Sequence, residues 1–351
     1  MHKSWGNAIW FDDAAEKMGV DTMRWLYASQ NTEHNLLFGY KIADEVRKNL
    51  ITLWNTYSFF TTYANLDNFN PSLSNIENCE LTDIDKWILA KMNNFIKQSK
   101  NLYESFELYK LMKYSTEILD DISNWYVRRN RRRFWKSEND KDKLAAYHTL
   151  YSVLLNYIKV MSPVIPFISD KIYQNLVCEI FDNAPQSIHL SDFPIYNEKF
   201  ENNNIIADID TVKNIVNLGR SIRNKANIKT RQPLNDIKIF IKDKNISLEK
   251  YDKQILDELN IKKIEYVDKS DKIVSYDIKL NFGVLNKDYN EIKSDIISLF
   301  NSINKTDILK SLNQNKYFKV NDSVALSEDC FIIEEVASKG YYVSSNKEVT
   351  A

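Results

Sequence analysis

Cysteine is scarce and scattered: Cys79, Cys178 and Cys330 form no CxxC pair. They lie about a hundred or more residues apart, a spacing that supplies neither a zinc ligand set nor a disulfide framework and fits a reducing setting. Glycine and proline number six each, and no glycine-rich loop of the kind that cradles phosphate occurs. Asn, Lys and Ile are abundant, which reads as compositional bias rather than mechanism. No run approaches the roughly 20 apolar residues that span a bilayer, and the opening residues have no signal-peptide stretch. Charge of one sign is also missing: the formal net charge is -1, so any attraction to nucleic acid must come from locally clustered side chains. The histidines His2, His34, His148 and His189 show no spacing suited to a metal or to a nucleophile and base, and read as structural or surface residues. A soluble, cytoplasmic protein is expected, without a metal site.

What is present suits a folded core, with 44% hydrophobic and 27% charged residues in 351, enough for two or three packing units. Asp12 is placed to cap a short helix ending near Gly19, and Asp21 a second one running through Trp25 to Ser29. From Gly39 to Tyr63, apolar residues at Ile42, Val46, Leu50, Leu53, Trp54 and Tyr57 follow the spacing of a long amphipathic helix. After a polar connection from Asn65 to Cys79, helices are expected over Asp83–Ser105, Glu107–Arg133 and Asp140–Ser162. Another starts at Pro166. Together these make an up-and-down bundle. Ile188 to Phe193 reads as extended, followed by a helix from about Ile205 to Asn224. Beyond Pro233, Ile237, Ile239 and Ile241 alternate with Lys238, Phe240 and Lys242, a two-residue period that marks a strand and a domain boundary. A helix near Leu248–Leu259, strands around Ile261–Val267 and Ile273–Leu280, helices near Glu291–Leu312 and closing short strands complete the chain. The expected fold is mainly α: a helical bundle followed by a smaller α+β domain. The divisions are 1–40, 41–195, a long helix and basic linker at 196–234, and 235–351.

The densest chemical feature is Trp125 to Lys136, with six positive charges in twelve residues. At about 3.6 residues per turn the run surrounds much of its helix, so some arginines must face inward. Asp120 and Asp121, one or two turns earlier, are candidate partners for these. The rest either complement the helix C-terminus or face phosphate, and interleaved aromatics favour RNA. Trp54, Trp87, Trp125 and Trp135 sit at helical spacing and read as core. A second basic stretch, Gly219 to Leu234, carries five positive and no negative residues. It is either a hinge whose arginines tie two domains together or a phosphate-contacting segment. The opening His2-Lys3-Ser4-Trp5-Gly6-Asn7 is by itself a surface turn, although a loop lysine can neutralise charge on transferring phosphates.

Taken in order, these segments resemble the second half of a class I isoleucyl-tRNA synthetase. Met1-His2-Lys3-Ser4 is similar to that family's K-M-S-K-S loop, with its first lysine absent and His2 where serine is usual; Trp5-Gly6-Asn7 follows the family's x-G-N. Gly19-Val20-Asp21-Thr22-Met23-Arg24 resembles G-x-D-x-x-R of the stem-contact region. Asn124 to Trp135 resembles the isoleucyl N-W-Y-V-R-R-x-R-R-R-F-W of the anticodon-binding bundle. Pro163, Pro166-Phe167 and Ile172-Tyr173 resemble the family's P-x-x-P-F and E-x-I-Y, His189 to Pro194 its H-L-S-D-F-P, and Arg223 to Leu234 its R-N-K-A-N-I-K-x-R-Q-P-L.

The resemblance implies part of an ATP- and Mg2+-dependent isoleucine-tRNA ligase, with tRNA-Ile as partner and a monomeric state. Lys3 would contact ATP, with Ser4 and His2 beside it in the catalytic loop. The tRNA-binding residues would be Trp125, Arg128, Arg129, Arg131, Arg132, Arg133, Trp135 and Lys136, together with Arg220, Arg223, Lys225, Lys229 and Arg231. The H-I-G-H segment and the editing domain would lie upstream of Met1, and the isolated chain is expected to be inactive in aminoacylation. Discrimination of isoleucine from valine, one methylene apart, would reside there too. The alternatives are a standalone RNA-binding or assembly module acting in trans and a purely structural helical protein.

Overall fold

The first helices owe their junction to a single glycine. Gly19 has φ +84°, a left-handed conformation that side chains disfavour, and it ends α1 (Phe11–Met18) while starting α2 (Val20–Ala28). The computed structural model describes residues 9–135, 140–243, 248–267, 274–320, 324–337, 342–346 and 349–350. Two compact units divide the chain, Met1–Ile206 and Ala207–Ala351, and the structure is mainly helical with small sheets.

In the first unit, α3 (Tyr40–Leu66), α4 (Asp83–Glu104), α5 (Leu108–Asp120), α6 (Arg128–Trp135), α7 (Asp140–Met161) and α8 (Pro166–Tyr173) build the bundle. α4 packs against α5 and α7, and α3 against α2 and α7. Trp87, Phe95, Tyr126, Phe134, Tyr147 and Tyr157 fill its centre. The stripe expected on α3 is only partly the buried one: Leu53 and Tyr57 are buried, but Ile42 and Trp54 are 39% and 41% exposed. α3 is 27 residues long. Its late residues Leu53, Tyr57, Phe60 and Ala64 are buried, whereas near its start the small Ala43 joins Ala14, Met18, Met23 and Leu26. Asp21 does not cap its own helix. Its carboxylate accepts the backbone N–H groups of Phe167 and Ile168 at the start of α8 (3.3 and 2.8 Å). Arg24, one turn on, donates to the carbonyls of Val164 (2.9 Å) and Pro163 (2.7 Å). The Gly-x-Asp-x-x-Arg spacing is thus a two-ended clamp on the α7–α8 corner: Asp21 takes orphan N–H groups at the start of α8, and Arg24 holds two carbonyls of the connecting turn. Ile188–Leu190, expected to be extended, forms a 3-10 turn because Ser187 Oγ accepts the His189 N–H.

α9 (Asn203–Lys225) runs across the division between the units. In the second unit, β1 (Leu234–Ile241) pairs in parallel with β2 (Ile261–Tyr266) across α10 (Asp252–Leu259), a right-sized βαβ crossover. β7 (Val349–Thr350) adds antiparallel to β1. β3 (Val274–Leu280) pairs antiparallel with β6 (Phe331–Ala337), and β4 (Tyr317–Lys319) with β5 (Ala325–Ser327). α11 (Phe282–Asp288), α12 (Lys293–Ser302) and α13 (Lys305–Asn315) contribute Leu285, Ile296, Ile308 and Leu312 to a core with Ile278, Leu326 and Phe331.

Candidate nucleic-acid interface

The arginine-rich segment is the end of one continuous helix, Leu108 to Trp135, whose middle, Asp121–Val127, widens into a π-helical stretch. The reason lies in the spacing of its buried residues Ile118, Ile122, Tyr126, Asn130 and Phe134, which repeat every four positions. In an α-helix such a repeat drifts about 40° per step, and a wider turn absorbs that drift so that all five stay on the seam. The arginines on the far face are thereby rotated outward.

Inside that seam sits one of the arginines. Arg133 is 14% exposed in its side chain and grips Asp85, whose side chain is 0% exposed, with Nη1 at 2.8 Å and Nη2 at 2.9 Å. Its Nε and Nη2 also reach Asp142 at the start of α7 (3.1 and 2.8 Å). Asp85 further accepts from the Tyr126 hydroxyl (2.6 Å) and from the Thr82 N–H and hydroxyl that begin α4 (2.9 and 2.6 Å). Burial lowers the guanidinium pKa, but the hydrogen bonds and charge of Asp85 outweigh it and hold Arg133 above its ordinary value. The Tyr126 hydroxyl is pushed well up by burial and by the neighbouring carboxylate. Of the expected partners, Asp121 pairs with Lys91 (3.2 Å) and Asp120 accepts from Asn124 (2.6 Å). Sequence reasoning missed Asp85 and Asp142; the capping box Thr82-x-x-Asp85 was the available signal.

The remaining members of the segment spread over the surface. Arg128 is exposed, its Nε donating to the Asn124 carbonyl (2.9 Å). Arg129 lies over the Trp125 ring at 4.9 Å, and Arg131 over Phe59 at 5.9 Å. Arg132 is exposed. Trp135, expected in the core, is 56% exposed at the helix end, while Trp125 is buried and its indole N–H has no partner among the described residues. The buried Trp125 ring thus lies beneath the Arg129 guanidinium. Lys136 lies outside the described residues, as do His2, Lys3 and Ser4.

The second basic stretch also divides into inner and outer residues. Arg223 is 2% exposed, and its Nε has no hydrogen-bond partner among the described residues. Its two Nη atoms donate to four carbonyls, those of Lys229 (3.1 Å), Gln232 (3.0 Å), Leu259 (2.6 Å) and Asn260 (3.1 Å). Burial lowers its pKa. Arg220 pairs with Glu258 at 2.5 Å. Lys225, Lys229 and Arg231 are exposed. Arg220 and Arg223 thus hold partners within this unit, and Lys225, Lys229 and Arg231 lie on its exposed surface.

The family described as the anticodon-binding domain of tRNA ligase matches residues 85–241. The isoleucine-tRNA ligase of Clostridium novyi is 37% identical over 360 residues, an alignment covering 99% of this chain and 34% of that protein. That of Dehalococcoides mccartyi is 38% identical over 266 residues, covering 75% and 26%. That of Treponema denticola is 33% identical over 329 residues, covering 88% and 29%. The chain spans about a third of the length of the curated relatives that it matches.

Proposed function

Because this chain is homologous to a portion of isoleucine-tRNA ligases and carries the anticodon-binding domain of a tRNA ligase over residues 85–241, we propose that it grips the anticodon arm of tRNA-Ile as part of such a ligase. One observation carries the reading: Arg133 is spent inside the bundle, and by pinning the helix end to Asp85 and Asp142 it leaves Arg128, Arg131, Arg132 and Trp135 on a rigid outer face. Guanidinium groups held on a rigid scaffold bind phosphate without ordering cost, and exposed aromatic and guanidinium planes stack on unpaired bases. Lys225, Lys229 and Arg231 form a second exposed group that supplies further phosphate contacts, which position a strand rather than read it. Trp125, Arg133, Arg220 and Arg223 act behind these surfaces.

The parent reaction joins isoleucine to its tRNA through an aminoacyl-adenylate, with Mg-ATP as co-substrate. Lys3, with Ser4 and His2, is the proposed phosphate-contacting part of this chain; these three lie outside the described residues. Purified on its own, the chain is expected to show no isoleucine-dependent pyrophosphate exchange. Anisotropy titrations of a tRNA-Ile transcript across a salt series test the binding half. Each phosphate contact contributes about 0.7 to 0.9 to the slope of log K against log salt, so Arg131→Ala and Arg132→Ala should each flatten it by roughly one. Salt-independent binding, or slopes unmoved by both substitutions, would end this reading.

A further inference from the structure

Away from the arginine helix, the polar connection between α3 and α4 closes over α7 to form a cavity of about 570 Å³. We propose that this cavity receives a single unpaired nucleobase of the bound RNA, a reading that rests on the tRNA-binding function above. Its volume lies within the range of about 300–1,000 Å³ typical of small-molecule sites. Ser74, Asn75, Asn78, His148, Ser152 and Asn156 supply the polar lining, and Leu73, Tyr151, Leu155 and Phe181 the apolar walls. No Lys, Arg, Asp or Glu among the described residues lines it. A lining of that kind rejects phosphate and carboxylate and suits a flat, uncharged molecule with both donors and acceptors on its edge, which describes a nucleobase.

The polar groups are partly committed and partly open. Asn75 Oδ1 accepts the Glu77 N–H (3.2 Å), and Asn156 Nδ2 donates to the Ser152 carbonyl (2.9 Å). The other end of each amide is left for a ligand: a donor on Asn75 and an acceptor on Asn156. Asn78 adds a whole side-chain amide, with no partner among the described residues. Deeper in, Ser74 Oγ and His148 Nε2 share a hydrogen bond at 2.5 Å. His148 is buried, and burial lowers its pKa, so the ring is neutral at physiological pH and can donate or accept.

The cavity is also tied to the cationic face. Arg131 lies over Phe59, Phe59 meets Phe134 at 5.2 Å, Phe134 meets Tyr147 at 5.1 Å, Tyr147 meets Phe69 at 5.1 Å, and Phe69 meets His148 at 5.0 Å. One seam of aromatic rings thus runs from the phosphate-facing arginines to the cavity floor. A strand held at one end by phosphate contacts has a polar, uncharged receptacle at the other.

The test uses the full chain and tRNA-Ile transcripts carrying 2-aminopurine at each unpaired anticodon-loop position in turn. Asn78→Leu, at the exposed rim, spares the fold; His148→Gln and Asn156→Leu probe deeper, and thermal melts accompany all three. A lost base-edge contact costs about 1–3 kcal/mol, so each variant should bind roughly five- to a hundredfold more weakly. The salt slope should stay unchanged, because no phosphate contact is lost, and the fluorescence change at one loop position should disappear. Wild-type affinity in all three variants would overturn the cavity assignment while leaving the arginine face standing. A loss of affinity accompanied by a flattened slope would overturn it too, since the substitutions would then act through the arginines. Absence of salt-dependent binding by the unaltered chain would defeat the underlying function itself.

Discussion

Replacing Arg133 by methionine removes a buried cation while keeping an unbranched side chain in its place. Asp85, 0% exposed, then loses the two charge-assisted hydrogen bonds at 2.8 and 2.9 Å. Breaking a buried pair by deleting one partner typically costs about 3–5 kcal/mol, because the other charge stays behind unpaired. Asp85 keeps Tyr126 and Thr82 as donors, which places this case at the lower end, about 3 kcal/mol. For a unit of 206 residues, each kcal/mol is worth roughly 2–4 °C in Tm, so the melting transition should fall by about 6–12 °C. Near-ultraviolet circular dichroism of the full chain follows it, since the Tyr126 hydroxyl donates to Asp85. A double-mutant cycle with Asp85→Asn isolates the interaction, and the double variant should be less destabilised than the sum of the singles by about 1.5–3 kcal/mol. A fall below about 2 °C, or strict additivity, would show that Arg133 is not the internal anchor described. Measured at a temperature where it is folded, the Arg133→Met chain should keep the salt slope of tRNA binding, in contrast to Arg132→Ala.

The same geometry supports three more expectations. A Cβ built on Gly219 would stand 2.5 and 2.7 Å from the methyls of Leu259, which is itself buried; Gly219→Ala should cost about 1–3 kcal/mol by urea titration, and adding Leu259→Ala should recover part of it. Lysine cannot reproduce the four-carbonyl grip of Arg223, so Arg223→Lys should destabilise by about 2 kcal/mol or more, and hydrogen exchange should quicken at residues 226–233. His148 has a folded-state pKa below its unfolded value because burial disfavours the imidazolium. The unfolded chain therefore binds the extra proton first, and stability is lost as pH falls through the unfolded pKa of about 6.5. Melts from pH 7.5 to 5.5 should show that loss, and His148→Gln should reduce it; an unchanged pH dependence would contradict the buried, neutral ring.

Much of this molecule was legible in one dimension because local spacing is set by helix and strand geometry. The helices α4, α5 and α7 and the strand β1 with its two-residue period could be read from residues a few places apart. The two basic clusters were equally plain. Which members of each cluster face inward was not legible, because that depends on partners far along the chain: Arg133 meets Asp85 across 48 residues, and Arg223 meets the Leu259 carbonyl across 36. The nearby Asp120 and Asp121 were the natural guesses; Asp120 accepts from Asn124 one turn on, and Asp121 pairs with Lys91 of α4. Trp54 and Trp135 were expected inside on spacing alone, yet a stripe names only a face, and what packs on that face decides burial. The cavity beside His148 left no trace in the sequence, since it forms only when a polar connection folds back over α7. Chemical character and period are properties of neighbours in the chain; burial, pairing and cavities are properties of neighbours in space.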